Sequence, residues 1–388
     1  MKYKIQAIVL VMIAFILGYS EFIIIGIVST LATAFSVSPA QVGLLVTAFA
    51  LVYAVCTPFI NLWIGKRRLH LVLLLLMGIF VAGNLATALA TSFITLAIAR
   101  IVTATVSGAI ISVAITFGAA VAPRAKRARL IAWIFSGFSI ASVFGVPLGT
   151  WMSGHLGWRS VFIVITLLAL MTTGLMYGLM PHNISQGQAK SLRDQLGILK
   201  NRQIQIGLTL PMLNLAGVYT FYTYLSPIIT KQLGLPLVWL TPLLFLYGLM
   251  SLFSNLGSGR LAEQSGLRRL PWVFMIQGLL LLTQPLLAQW PMAGVLNMLI
   301  IGLSMYLINA PIQMHFMGIA ERDYPQAMVL ASSFNSIFSN VGIALGSGVG
   351  SVAFKQLGLN FIGPVGAIFA LGALLAVRKL NQLLTVTQ

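Results

Sequence analysis

Residues 6–30 read QAIVLVMIAFILGYSEFIIIGIVST. As a helix rising about 1.5 Å per residue, such a run is long enough to cross the hydrocarbon of a bilayer. A single charge, Glu21, stands about two-thirds of the way along it, inside Gly18-Tyr19-Ser20-Glu21-Phe22. A charge at that depth costs several kcal/mol unless it is paired, hydrated or neutralised by a proton. The chain has only five Asp and Glu, and Asp194, Glu263, Glu321 and Asp323 lie in or beside polar connecting stretches. Glu21 is therefore the side-chain carboxylate best placed to carry a proton through the membrane.

The same pattern repeats outward from this run. Of the 388 residues 59% are hydrophobic and 7% charged, with a mean hydropathy of +0.99. A soluble domain of this size would lack the charge to cover its surface. About twelve apolar runs follow one another, near 6–30, 41–64, 69–90, 92–121, 129–152, 159–180, 205–229, 237–260, 270–290, 291–319, 326–353 and 360–379. The runs at 92–121 and 291–319 exceed the bilayer and are expected to tilt or project. The alternation of a membrane β-barrel is absent. The fold class expected is an all-α membrane protein of 12 transmembrane helices.

The net charge of +18 is distributed as a topology signal. With the N-terminus in the cytoplasm, nineteen of the 23 Lys and Arg fall on the cytoplasmic side. Only Arg159, Lys231 and Lys355 fall outside, and Arg100 lies within a run. That asymmetry places both termini in the cytoplasm. It also removes the reason to infer a nucleic-acid partner, leaving membrane lipid headgroups as secondary partners. Cys56 is the one cysteine, which excludes intrachain disulfides and cysteine-rich metal sites, and no metal site is expected. The first run lacks a small-residue cleavage site and reads as a retained helix.

A polar connection from about Pro181 to Gln203 divides the runs six and six. The expected domains are 1–180, a cytoplasmic linker at 181–204, and 205–388. Two short matches support a duplication. Asn61-Leu62-Trp63-Ile64-Gly65-Lys66 parallels Asn255-Leu256-Gly257-Ser258-Gly259-Arg260, and Gly145-Val146-Pro147-Leu148-Gly149 parallels Gly342-Ile343-Ala344-Leu345-Gly346. Parallel six-span repeats around a central site are a transporter architecture.

With Glu21-Phe22, Arg100, Gly145-Val146-Pro147-Leu148-Gly149, Gly157-Trp158-Arg159 and Tyr222-Thr223-Tyr224-Leu225-Ser226-Pro227, the chain resembles the major facilitator superfamily along essentially its whole length. The resemblance is nearest to the drug:proton antiporters of bacterial inner membranes, in particular the arabinose- or sugar-efflux-like and purine-efflux-like permeases. It implies two six-helix bundles, alternating access, a monomer, and a small-molecule substrate of drug, sugar or nucleobase/nucleoside class. The proton gradient would be the energy source, with no cofactor. Gly145, Pro147 and Gly149 resemble the antiporter motif of the fifth span, and multidrug resistance is among the roles this branch implies. Gly259, Glu263, Gly266 and Arg268 resemble a cytoplasmic gate. In the matching first-half loop Trp63 stands where the family has an Asp ahead of Arg67-Arg68.

By helical rise, Glu21 lies roughly 10 Å and Arg100 roughly 12 Å from the outer ends of their runs. Pairing would lower the cost of both charges, and separating them would leave the carboxyl to take up a proton. A permanent structural salt bridge is the competing reading. Polar or small stripes at helical spacing face protein or water rather than lipid. They include Ser332, Asn335, Ser339, Gly342 and Gly346, and Asn214, Gly217, Phe221 and Tyr224. Asn214, Tyr219, Tyr222, Tyr224, Gln313 and Asn335 are candidate substrate contacts, aromatic rings with sparse amides suiting a moderately apolar ligand. His315 is either a packing residue or a further proton or substrate group. Uptake or facilitated diffusion of a sugar or nucleoside remains open. An intramembrane enzyme is a remote alternative, since there is no HExxH, no GxSxG and no paired acids within the spans.

Overall fold

The computed structural model describes residues 2–64, 68–122, 127–182, 196–264, 266–324 and 327–386, with backbone only at several of these, among them 61–64, 263 and 332. The loop at 65–67, the side chains of Trp63, Glu263 and Ser332, and most of the 181–204 connection lie outside the described residues. Among the described residues there are 12 helices long and apolar enough to cross a membrane, and no strand. The contacts divide the chain into two compact units, Met1–Ala189 and Lys190–Gln388.

Unit 1 holds spans 1 to 6. They are Lys2–Ala34, Pro39–Ile64, Leu69–Ala88, Phe93–Val121, then Arg127–Ile140 running through a π-helical turn Ala141–Gly145 into Val146–Leu156, and Trp158–Leu179. Unit 2 holds spans 7 to 12. Span 7 is Arg202–Tyr222, resuming through Leu225–Pro227 and a π-helical turn Ile228–Gln232. Span 8 is Leu240–Gln264, span 9 Leu270–Leu287, span 10 the pair Pro291–Ser304 and Asn309–Asp323, span 11 Met328–Leu357 and span 12 Ile362–Val386.

Two runs expected to be continuous are broken. The 205–229 run interrupts at Thr223-Tyr224, and the 291–319 run at 305–308. Proline weakens the helix at both. Pro227 and Pro311 lack the N–H that the carbonyl four residues earlier would accept. The 360–379 run continues to Val386, because Lys379, Leu380, Gln382, Leu383 and Leu384 are good helix formers that outweigh Asn381.

Within each unit the helices pair in the same pattern. Span 1 packs on spans 5 and 6, span 3 on 4 and 6, and span 2 on 4. Span 7 likewise packs on 11 and 12, span 9 on 10 and 12, and span 8 on 10. Glycine sets how closely the first of these pairs approach. A Cβ on Gly145 would come 2.9 Å from the Tyr19 ring, and one on Gly149 would strike Ile23 and stand 2.8 Å from the Tyr19 hydroxyl. In unit 2 a Cβ on Gly342 or Gly346 would run into the backbone carbonyl of Met212 or Ala216. The paired Gly-rich stretches thus do the same packing work in both units.

Outward faces carry exposed Leu71, Ile94, Leu167 and Ile368. Large apolar side chains left exposed on the spans suit lipid. Gly157 turns the chain between spans 5 and 6 at φ +82°, a region where a side chain is strained. Just beyond it Arg159 donates through Nη2 to the Ala90 carbonyl at 2.8 Å and lies 4.4 Å over the Trp158 ring.

Candidate functional site

Span 1 is sealed on both sides of Glu21. Residues 16–20 and 22–28 are all buried, and Glu21 alone interrupts the stretch with partial exposure. The reason lies in its neighbours. Gly18 and Gly26 receive span 5, where added Cβ atoms would meet Phe138 and Thr150. Phe22 sits edge-on to Phe138, ring centroids 6.2 Å apart. Ser20 turns toward spans 3 and 4.

Arg100 is 1% exposed. It donates through Nη1 to the Ser20 hydroxyl at 2.9 Å and through Nη2 to the Ser20 carbonyl at 2.7 Å. The Ser20 hydroxyl donates in turn to Asn84 Oδ1 at 2.7 Å, and Asn84 Nδ2 donates to the Phe80 carbonyl at 2.9 Å. The guanidinium also lies 4.6 Å from the Phe49 ring centroid and 5.8 Å from that of Phe162. Hydrogen bonds to a charged group contribute about 1.5–3 kcal/mol each, and a cation over an aromatic face adds about 1.

Glu21 stands near enough to feel the Arg100 charge, yet no ion pair forms between them. Among the described residues Glu21 makes no hydrogen bond. The permanent salt bridge is therefore not what this structure contains. Arg100 is held in place by Ser20 and two rings, and the carboxyl beside it is uncommitted.

Unit 2 repeats this node without charge. Asn214 Nδ2 donates to the Met305 carbonyl at 2.9 Å, at the start of the span 10 break. Gln277 Nε2 donates to Asn214 Oδ1 at 3.2 Å and to Ser304 Oγ at 3.3 Å. The Ser254 hydroxyl accepts from the Tyr306 N–H at 2.8 Å. Ser20 and Asn214 are 194 positions apart in the chain, and Asn84 and Gln277 are 193 apart. Spans 1, 3 and 4 and spans 7, 9 and 10 thus join through equivalent polar positions. Ser20, Asn84 and Gln277 were missed by sequence reasoning. Lone polar residues in otherwise apolar spans were the signal available.

The other sequence candidates are placed as follows. Both ends of the Asn214 amide are engaged inside unit 2. Tyr222 stacks on Tyr247, centroids 4.9 Å and planes 11° apart, and meets Tyr219 edge-on at 5.3 Å. Tyr224 is fully buried and packs on Phe354 at 5.2 Å. Gln313, His315 and Asn335 are half-buried, with His315 packing near Phe316 and Gly207. Pro147 is buried between Gly145 and Gly149, the two glycines that meet Tyr19 of span 1. Gly259 lies on span 8, and Gly266, at φ +50°, opens the short turn that carries the exposed Arg268.

The sequence profile of the Major Facilitator Superfamily matches residues 10–347. This chain belongs to that superfamily. It is similar to the inner membrane transport protein YdhP of Escherichia coli (strain K12), 30% identical over 378 residues that cover 97% of this chain and 96% of YdhP. It is also similar to a probable sugar efflux transporter of Helicobacter acinonychis (strain Sheeba), 29% identical over 367 residues, covering 93% and 91%. A crystal structure of a D-xylose–proton symporter shares the fold with a TM-score of 0.76 at 16% identity, covering 96% of each chain. The superfamily member described here is a multi-pass membrane transporter with 12 spans.

Proposed function

We propose that this transporter exports small molecules in exchange for protons, by alternating access, across a bacterial inner membrane with both termini in the cytoplasm. The substrate class is sugar, nucleoside or drug, and the sugar-efflux relative supports export. The fold itself does not choose a direction, since a symporter shares it. The Gly145–Gly149 packing against span 1 supports exchange through its likeness to the antiporter motif.

One observation carries the proton coupling: Glu21 is the only break in the buried stretch of span 1, unpaired and beside a clamped Arg100. When ionised, the carboxylate is held at depth by the neighbouring guanidinium. When its surroundings dry, it takes up a proton, because the charged form there becomes too costly. Alternation between the two moves one proton per cycle. The aromatic rings of span 7, with Gln313, His315 and Asn335, serve the substrate.

The test uses everted vesicles or proteoliposomes with an imposed pH gradient and a panel of sugars, nucleosides and drugs. Glu21→Gln is expected to abolish gradient-driven accumulation while keeping substrate exchange down its own gradient. Accumulation at the wild-type level in that variant overturns the coupling role.

A further inference from the structure

Spans 9 and 12 run side by side in unit 2, and small residues set their approach. A Cβ on Gly363 would strike the Leu281 carbonyl, and one on Gly278 would stand 3.5 Å from the Ala370 side chain. Asn381 Nδ2 donates to the Leu267 carbonyl at 3.1 Å. The two helices are therefore antiparallel, and the start of span 9 meets the end of span 12. Trp272, Ile276 and Leu279 are exposed on span 9, at steps of four and three. Ile368, Leu371 and Leu375 are exposed on span 12, at steps of three and four. Each set lies on one helix face, and large apolar side chains on such a face suit hydrocarbon.

Both stripes finish on cations at the same end. Arg268 and Arg269 are exposed in the turn just before span 9, and Arg378 and Lys379 are exposed one turn beyond Leu375. The bond from Asn381 to Leu267 brings the two groups together, since Arg268 follows Leu267 and Arg378 lies one helical turn before Asn381. The end of span 10, with exposed Glu321 and Asp323, also lies against the 266–269 turn. Asp323 is committed to Arg322, whose Nε and Nη2 donate to its two carboxylate oxygens at 2.9 Å each. That is the one ion pair among the described residues, so no acid there neutralises Arg268, Arg378 or Lys379.

We propose that this end of unit 2 binds an anionic phospholipid, its phosphate between Arg268 and Arg378 and its acyl chains along the two exposed stripes. A guanidinium presents paired N–H donors that match two phosphate oxygens. Lys379 adds an ammonium on an aliphatic stem, which lies along apolar surface while the charge reaches the headgroup. Trp272 stands where the charged end gives way to the apolar stripe, the level at which indole rings gather in membranes. A nucleic acid or an acidic peptide would meet the cations but leave the apolar side chains one turn away uncovered. A zwitterionic lipid offers the same phosphate but brings its own positive charge among four cations. The anionic headgroup is the one this cluster selects.

The test is titration of the full chain, in a neutral detergent, with phosphatidylglycerol and with phosphatidylcholine of the same acyl chains. Native mass spectrometry counts the lipids bound per chain. The first phosphatidylglycerol is expected to bind about tenfold or more tighter than the first phosphatidylcholine. The double variant Arg378→Gln with Lys379→Gln is expected to weaken that phosphatidylglycerol by about tenfold or more, since each basic group near an anionic headgroup contributes about fivefold. The control is Lys231→Gln with Lys355→Gln, which removes the same charge from exposed positions at the opposite end of the unit and is expected to keep the binding. All four side chains are exposed, and the thermal unfolding midpoint without added lipid checks that the variants fold. Equal binding of the two lipids by the wild type, or equal losses in the two double variants, overturns the site.

Discussion

Arg100 spends two of its N–H groups on one residue, Ser20, reaching the hydroxyl at 2.9 Å and the carbonyl at 2.7 Å. The carboxylate one position further along the same helix receives none. A charge clamped by neutral acceptors keeps its place whether or not the neighbouring acid is ionised. That separation of duties is what a reversible proton site needs: the cation is positioned by the fold, and the carboxyl is free to change state.

Replacing Ser20 tests the clamp. Ser20→Ala removes the acceptor of Nη1 and the donor to Asn84, while the backbone carbonyl stays. The expected loss is about 1–3 kcal/mol, because a buried charged donor and an amide oxygen both lose a partner. The measurement is the thermal unfolding midpoint in detergent, with Thr30→Ala, exposed near the end of span 1, as the control. Equal midpoints for Ser20→Ala and wild type would show that the clamp contributes nothing.

Arg100→Lys keeps the charge and loses the geometry. An ammonium cannot reach a hydroxyl and a carbonyl with two parallel donors, and it lies less well against the Phe49 ring. The cation is then free to move toward Glu21 and pair with it. Gradient-driven transport is expected to fall by about tenfold or more, since pairing adds about 1.4 kcal/mol or more to the cost of protonation. Initial rates in everted vesicles at matched protein levels decide it, and a rate within twofold of wild type would reject the positioning role.

Two glycines on one helix separate packing from propensity. Gly149 faces Ile23 and Tyr19 with no room for a methyl group, whereas a Cβ on Gly154 meets nothing within 4 Å. Gly149→Ala is expected to destabilise by about 1–3 kcal/mol, as overpacking does. Gly154→Ala is expected to be neutral or to stabilise by up to about 1 kcal/mol through helix propensity. Denaturation in mixed micelles compares the pair, and equal effects would refute the close approach of spans 1 and 5.

Much of this was legible in the sequence because it rests on local signals. Span length and hydropathy mark twelve apolar runs, and lone charges such as Glu21 and Arg100 stand out against them. The breaks in spans 7 and 10 were not legible. Pro227 and Pro311 mark a weak point, but Met305-Tyr306-Leu307-Ile308 is as apolar as any helix. Whether it unwinds depends on acceptors and donors from other spans, here Ser254 and Asn214. Ser20 was hidden for the same reason: its importance comes from an arginine eighty residues away. The similar depth of Glu21 and Arg100 was legible, and depth does not say which acceptor an arginine chooses.

The uncharged node of unit 2 gives the last prediction. Asn214 supplies the donor for the Met305 carbonyl, which the break in span 10 would otherwise leave unpaired, and accepts from Gln277. Asn214→Leu fills similar volume but strips partners from a buried carbonyl and a buried amide, at about 1–3 kcal/mol each. Gln277→Leu alone removes the donor to Asn214 and Ser304. Because the two side chains touch, their effects are not additive: the double variant is expected to cost less than the sum of the single ones. A double-mutant cycle on unfolding midpoints measures this, and strict additivity would mean that the node does not act as a unit. Transport by these variants should track their stability and keep its response to the pH gradient, since the proton-carrying side chain lies in unit 1.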